Sequence, residues 1–218
     1  MKKFLLNIWY TILYQFDQHK GDIPQWWYEQ KPFDQRPDFS KRVAVAKDVI
    51  AQIELAKYRA KKGSYIRYAS FKNDSVFDRT SGNVSRVNEL DAKSSFDNLE
   101  NCKVCAIGAC ILSITRFKNK LKWGELLDHD NFDKSGTRVM LMLSEIFQPY
   151  QLGMLEAAFE GSYNCTTSDR VAKRLGIESL STEDDEACSR FYDLYDSSEE
   201  RLKTIMQNII DNNGTFKP

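Results

Sequence analysis

Histidine is nearly missing from this chain: His19 and His129 are the only two in 218 residues. Acid–base catalysis and imidazole metal ligation therefore have little to draw on. No glycine-rich phosphate loop is present, and no internal repeat. Net charge is absent too, with 31 Lys plus Arg against 31 Asp plus Glu, which speaks against a dedicated nucleic-acid binder. No apolar run is long enough to span a bilayer. Lys2-Lys3-Phe4-Leu5-Leu6 imitates the start of a signal peptide, but Asn7, Thr11, Gln15 and Asp17 interrupt it and no small-residue cleavage site follows. Five cysteines is an odd number, so free thiols in a reducing cytosol are expected rather than a disulfide framework. What is present is 42% hydrophobic residues, enough for a real core and too many for a disordered chain.

Leu5, Ile8, Trp9, Ile12 and Leu13 recur at helical spacing near the N-terminus. Residues 17–40 carry Pro24, Pro32 and Pro37 around Trp26-Trp27-Tyr28, which predicts an extended, irregular strap stapled down by its aromatics, or a partner patch if they are exposed. Ser40 is a candidate cap for a helix over 41–61, with a stripe of Val45, Val49, Ile53, Ala56 and Ala60 and a stop at Gly63. Ser64–Phe71 has the alternation of a short strand, and 72–98 reads as a long polar loop. A central helix from Cys102 to about Phe117 is apolar on most sides and so buried on most sides. Further helices are expected over about 136–147, 149–160, 168–175, from Ser181 or Thr182, and from Ser198 to about Asn212; one further turn is expected at Trp123–Leu127. The fold class expected is mainly α: a helical domain over 41–218 around a buried central helix, behind an N-terminal helix and strap over 1–40.

The segment Cys102-Lys103-Val104-Cys105-Ala106-Ile107-Gly108-Ala109-Cys110 admits either chemistry or packing. Cys102-x-x-Cys105 is half a zinc site, but a second pair is missing and Cys110, Cys165, Cys188, His19 and His129 are scattered. Redox chemistry of the thioredoxin kind wants the pair at a helix start after a strand, and the polar loop ahead of it is not read as a strand. Catalysis by Cys102 or Cys105 would need His129, which sits in a polar Asp128-His129-Asp130 loop. The favoured reading is structural: small residues let a neighbouring backbone come close, and the thiols act as small buried hydrophobes. No cofactor and no metal is expected. Asp128, Asp130 and Asp133 lack the spacing of a calcium loop. Ser168–Ile177 resembles the front of a helix-turn-helix, but Glu183-Asp184-Asp185-Glu186 follows where a DNA-reading helix would be basic.

Charge is unevenly spread. Residues 41–67 hold eight basic groups against two acids, and 178–200 hold nine acids against Arg190 alone. Lys47, Lys57, Arg59, Lys61, Lys62 and Arg67 are candidate contacts for an anionic partner, with Tyr58, Tyr65 and Tyr68 among them to stack on bases. They serve equally as the wet face of a helix. Trp26, Trp27 and Tyr28 form the candidate partner patch. A homo-oligomer that matches basic to acidic segments is open but unforced.

Several blocks resemble a family of bacteriophage and bacterial hypothetical proteins. They are Val45-Ala46-Lys47-Asp48-Val49-Ile50 with Gly63-Ser64-Tyr65, the Cys102–Ala109 segment, Ile146-Phe147 with Gln151-Leu152 and Glu156–Glu160, and Arg201–Phe216. The resemblance covers roughly residues 43–216 in blocks and carries no catalytic residue onto this chain. It implies an intracellular protein of phage or prophage origin, of a kind that binds host factors or signalling molecules. We therefore expect a non-enzymatic binding protein whose partner is a host protein or an anionic ligand. The alternative is a cysteine-dependent enzyme.

Overall fold

The computed structural model describes residues 24–63, 65–71, 76–78, 96–118, 121–127, 138–161 and 180–218. The expected helix near residues 5–13 lies outside them. Within the strap, each proline starts a helical turn. Pro24 precedes α1 (Gln25–Glu29), Pro32 a 3-10 turn (Phe33–Gln35) and Pro37 helix α2 (Asp38–Glu54). A φ fixed near the helical value and a missing N–H suit the entry to a helix. From residue 24 onward the strap is thus a series of short turns, not the extended segment expected. Its aromatics do staple it down. Tyr28 meets Phe39 edge-on at 5.2 Å, and Phe33 stacks on Phe117 at 4.5 Å. Ser40 is not the cap of α2: it is buried within the helix, and its hydroxyl accepts from Gln25 Nε2 at 3.1 Å.

Helix α2 buries Val45, Val49 and Ile53 as expected but stops at Glu54. Ala56 turns left-handed (φ 56°), and the chain enters β1 (Tyr58–Ala60). The expected stripe overran because alanine is a weak apolar signal, whereas Tyr58 is fully buried only as a strand residue. β2 (Ile66–Phe71) and β3 (Val76–Asp78) follow. The expected strand at 64–71 is therefore present. β3 and a 3-10 turn at Phe96–Asn98 interrupt the stretch read as one polar loop, and the rest of that stretch lies outside the described residues.

The largest correction concerns the central helix. Leu99–Val104 is strand β4, and helix α3 runs from Ala106 to Lys118. The helical period of Val104, Ile107, Ile111 and Ile114 extends back into a strand whose own alternation, Cys102 and Val104 in and Asn101 out, is short. β4 is central to a four-stranded sheet of order β1-β4-β2-β3, parallel to β1 and antiparallel to β2. Asn101 takes φ 52° where the β2–β4 register shifts, a conformation asparagine tolerates better than most residues.

The fold is mainly α, with α3 at its centre: every residue from Ala106 to Thr115 is buried. It packs on α2, on α5 (Arg138–Ser144) and on α6 (Pro149–Glu160). Helix α4 (Trp123–Leu127) lies against β2. Helices α7 (Thr182–Asp193) and α8 (Ser198–Asp211) complete the described chain. Ser181 and Ser197 cap them by accepting from the Asp184 and Glu200 N–H groups. α7 packs on α6 and α8 on α2, and one apolar cluster joins Val45 to Phe216. The expected helix at 168–175, with its helix-turn-helix likeness, lies outside the described residues. Among the described residues no helix is long and apolar enough to cross a membrane.

Candidate functional site

Cys102 lies within β4, Cys105 at its junction with α3 and Cys110 inside α3, all buried. Strand β4 does lead into the helix, contrary to expectation, but it contains Cys102, so Cys105 alone sits where the topology suits a reactive thiol. The environment does not. Burial pushes the Cys102 thiol up, and Cys110 to about 12, because a thiolate there would lose its water. Cys105 is pushed up by burial first and then by the charges of Glu160 and Glu156. The Gly108 N–H, 3.4 Å from Cys105 Sγ, favours the thiolate but is outweighed. The thiols behave as core residues. Gly108 supplies the close approach that the small-residue reading expected: a Cβ there would sit 1.7 Å from the Tyr65 carbonyl oxygen. His129 and Cys165 lie outside the described residues. Among those described, no group of three His, Cys, Asp or Glu is placed to hold a metal.

The basic candidates do not converge on one open face. Lys47 pairs with Glu29 at 2.5 Å. Lys57 donates to the Phe96 carbonyl at 3.1 Å, with Asp97 at 3.9 Å. Arg59 donates to Asn101 Oδ1 at 3.3 Å and faces Glu199 at 3.6 Å. Lys61 is exposed, and its backbone N–H holds the Val104 carbonyl at 2.8 Å. Lys62 Nζ donates to Tyr192 Oη at 2.7 Å. Arg67 belongs to β2. Of the aromatic patch, Tyr28 is buried beneath Lys31 Nζ and Trp27 is half-buried. Trp26 is 57% exposed and stands edge-on to Trp27 at 6.1 Å.

One cluster does bring chemically unusual groups together, where the turn after β1 meets the ends of α6 and α7. Lys62 Nζ lies 4.3 Å from the centre of the Tyr192 ring, and the Arg201 guanidinium lies 3.7 Å from it. Arg201 is buried and donates to the Phe159, Tyr192 and Tyr195 carbonyls, so one fixed cation satisfies the C-terminal ends of two helices. Glu160, whose carboxylate accepts from the Gly63 N–H at 3.1 and 3.2 Å, is raised mainly by burial. Glu156, one turn earlier, is raised well above the usual carboxyl range by burial and then by Glu160. Tyr192 goes the other way: the hydrogen bond from Lys62 lowers its phenol, helped by the charges of Lys62 and Arg201. Groups whose environments push them in opposite directions mark candidate sites.

The sequence held partial signals of this cluster. Glu156 falls in the apolar stripe Leu152, Leu155, Phe159, and Arg201 is one turn ahead of buried Ile205. Nothing in the sequence ties Lys62 to Tyr192, 130 residues away.

A second polar knot lies under β1. Asp48 Oδ1 accepts from Arg116 and, at 3.2 Å, from Gln52 Nε2. Asp48 Oδ2, Gln52 Oε1, Tyr58 Oη and Ser113 Oγ are buried there without a well-aligned partner. Burial, then the Asp48 charge, raises the Tyr58 phenol.

Comparison with family models, with curated proteins and with solved structures finds no match to this chain.

Proposed function

We propose that this chain works by binding a partner protein rather than by bond chemistry. The observation that supports it most is the contrast between its sealed thiols and the open Trp26. The sulfurs that an enzyme reading would use are buried and held protonated, whereas Trp26 offers a large rigid apolar surface to solvent at the head of α1. Tryptophan is a frequent anchor of binding energy. The pairings of Lys47, Lys57, Arg59 and Lys62 within the chain favour a protein partner over an anionic ligand. With the phage-like sequence blocks, the partner is proposed to be a host protein in a bacterial cytosol.

The test is capture from bacterial lysate by the intact chain and by Trp26→Ala, with both checked by thermal unfolding. An exposed aromatic change costs the fold about 1 kcal/mol or less. One protein held by the intact chain and lost from the variant is the expected result. Equal capture by both, or none by either, overturns the proposal.

A further inference from the structure

The Tyr192 ring has three close neighbours. Lys62 and Arg201 lie against it, and Gly161, at φ +75°, carries no Cβ, which would otherwise sit 2.6 Å from the ring. Lys62 also donates to the phenol oxygen itself at 2.7 Å. Two cations beside one phenol lower the cost of ionising it, and an ammonium on the oxygen fixes a lone pair in place. Loss of water and, less strongly, the charge of Asp193, the next residue along the chain, oppose this without reversing it. The side chain is not buried, so a reagent can reach it. Two other tyrosines show the contrast. Tyr58 is fully buried beside Asp48, and the Tyr150 hydroxyl donates to the Asp184 carboxylate rather than accepting from a cation.

We propose that Tyr192 is a modification site, a phenol set by Lys62 and Arg201 to accept an acyl group from an activated acyl donor. In the step, the phenol proton leaves to solvent and the oxygen bonds to the acyl carbon. The bond from that carbon to the leaving group breaks, and the leaving group departs with a proton from water. The product is an aryl ester at Tyr192. This site is separate from the Trp26 surface, so neither proposal depends on the other.

N-acetylimidazole is the probe, with peptide mass spectrometry to locate the label and hydroxylamine to cleave O-acetyl tyrosine while sparing N-acetyl lysine. In the folded chain Tyr192 is expected to label ahead of Tyr58 and Tyr150. In Lys62→Met the rate at Tyr192 should fall about five-fold, the size of one cation contact on a phenolate, and its pH profile should move to higher pH. Lys62→Arg, which keeps a cation, should restore most of the rate. Equal rates in the intact chain and Lys62→Met, both shown folded by their unfolding curves, overturn the proposal. So does hydroxylamine-resistant label on Lys62 with none on Tyr192.

Discussion

Replacing Gly108 by alanine sets two physical rules against each other. Gly108 lies inside α3, where alanine is the better helix former by about 0.8–1 kcal/mol, so propensity alone predicts a more stable protein. The tertiary structure predicts the reverse. The new Cβ would lie 1.7 Å from the Tyr65 carbonyl oxygen and 2.5 Å from its carbon, and both are backbone atoms. Ordinary contact would require a retreat of roughly 1.5 Å. The same carbonyl accepts from the Cys105 N–H at 3.2 Å, and the next residue, Ile66, pairs with Val104. Moving it breaks a buried hydrogen bond, about 1–3 kcal/mol, and overpacks the centre, about 1–3 kcal/mol.

Set against the propensity gain, the net loss is about 1–5 kcal/mol, or a fall in Tm of about 2–20 °C for a chain of this size. Urea and thermal unfolding of Gly108→Ala measure it. Gly63→Ala is the control: its Cβ meets nothing within 4 Å, and only the strain of φ +89° remains, about 1–2 kcal/mol. A Gly108→Ala protein as stable as the parent, or more so, would refute the close approach of α3 to the β2 backbone.

Iodoacetamide at pH 8 should leave Cys102, Cys105 and Cys110 unmodified in the folded chain and modify all three in urea; rapid selective alkylation of Cys105 in the folded state would contradict its burial. Glu156 binds its proton more tightly in the folded chain than its ordinary value of 4.5, so the folded state holds more protons and stability falls as pH rises from that value through the raised one. Glu156→Gln removes this loss: its urea midpoint should gain on the parent as pH goes from 4 to 8, and parallel curves would count against a strained carboxyl.

The helices at the C-terminal end were legible because each carries its own start and stripe. Ser181 and Ser197 cap as their positions suggest, and Leu202, Ile205, Met206 and Ile209 are buried at helical spacing. The expected fold class also holds. What the period concealed was β4. Its six residues run straight into an apolar helix, so Val104 fits both repeats, and only pairing with Tyr58 and Ile66, far off in sequence, shows which one it obeys. The strap was misread for the opposite reason. Proline in a sequence reads as a breaker of structure, yet Pro24, Pro32 and Pro37 each precede a helical turn. The unusual cluster was legible only in its odd members, Glu156 and Arg201, polar residues set within apolar stripes. Tyr192 and Lys62 carry no such mark, because the contact between them joins the turn after β1 to α7, 130 residues along the chain.

The Cys105 junction shows why topology alone does not make a nucleophile. A strand leads in, a helix leads out, and the Gly108 amide points at the sulfur, all of which favour a thiolate. Each is a partial charge, whereas the opposing influences are the loss of water around a full charge and the two carboxyl groups of Glu156 and Glu160. A reactive thiol has a cation in that place. Here Lys62 and Arg201 act on Glu160 and on Tyr192. Those two side chains favour the charged form of the Tyr192 phenol, whereas the carboxyl groups beside Cys105 disfavour its thiolate, so the two groups are driven in opposite directions by the charges that face them.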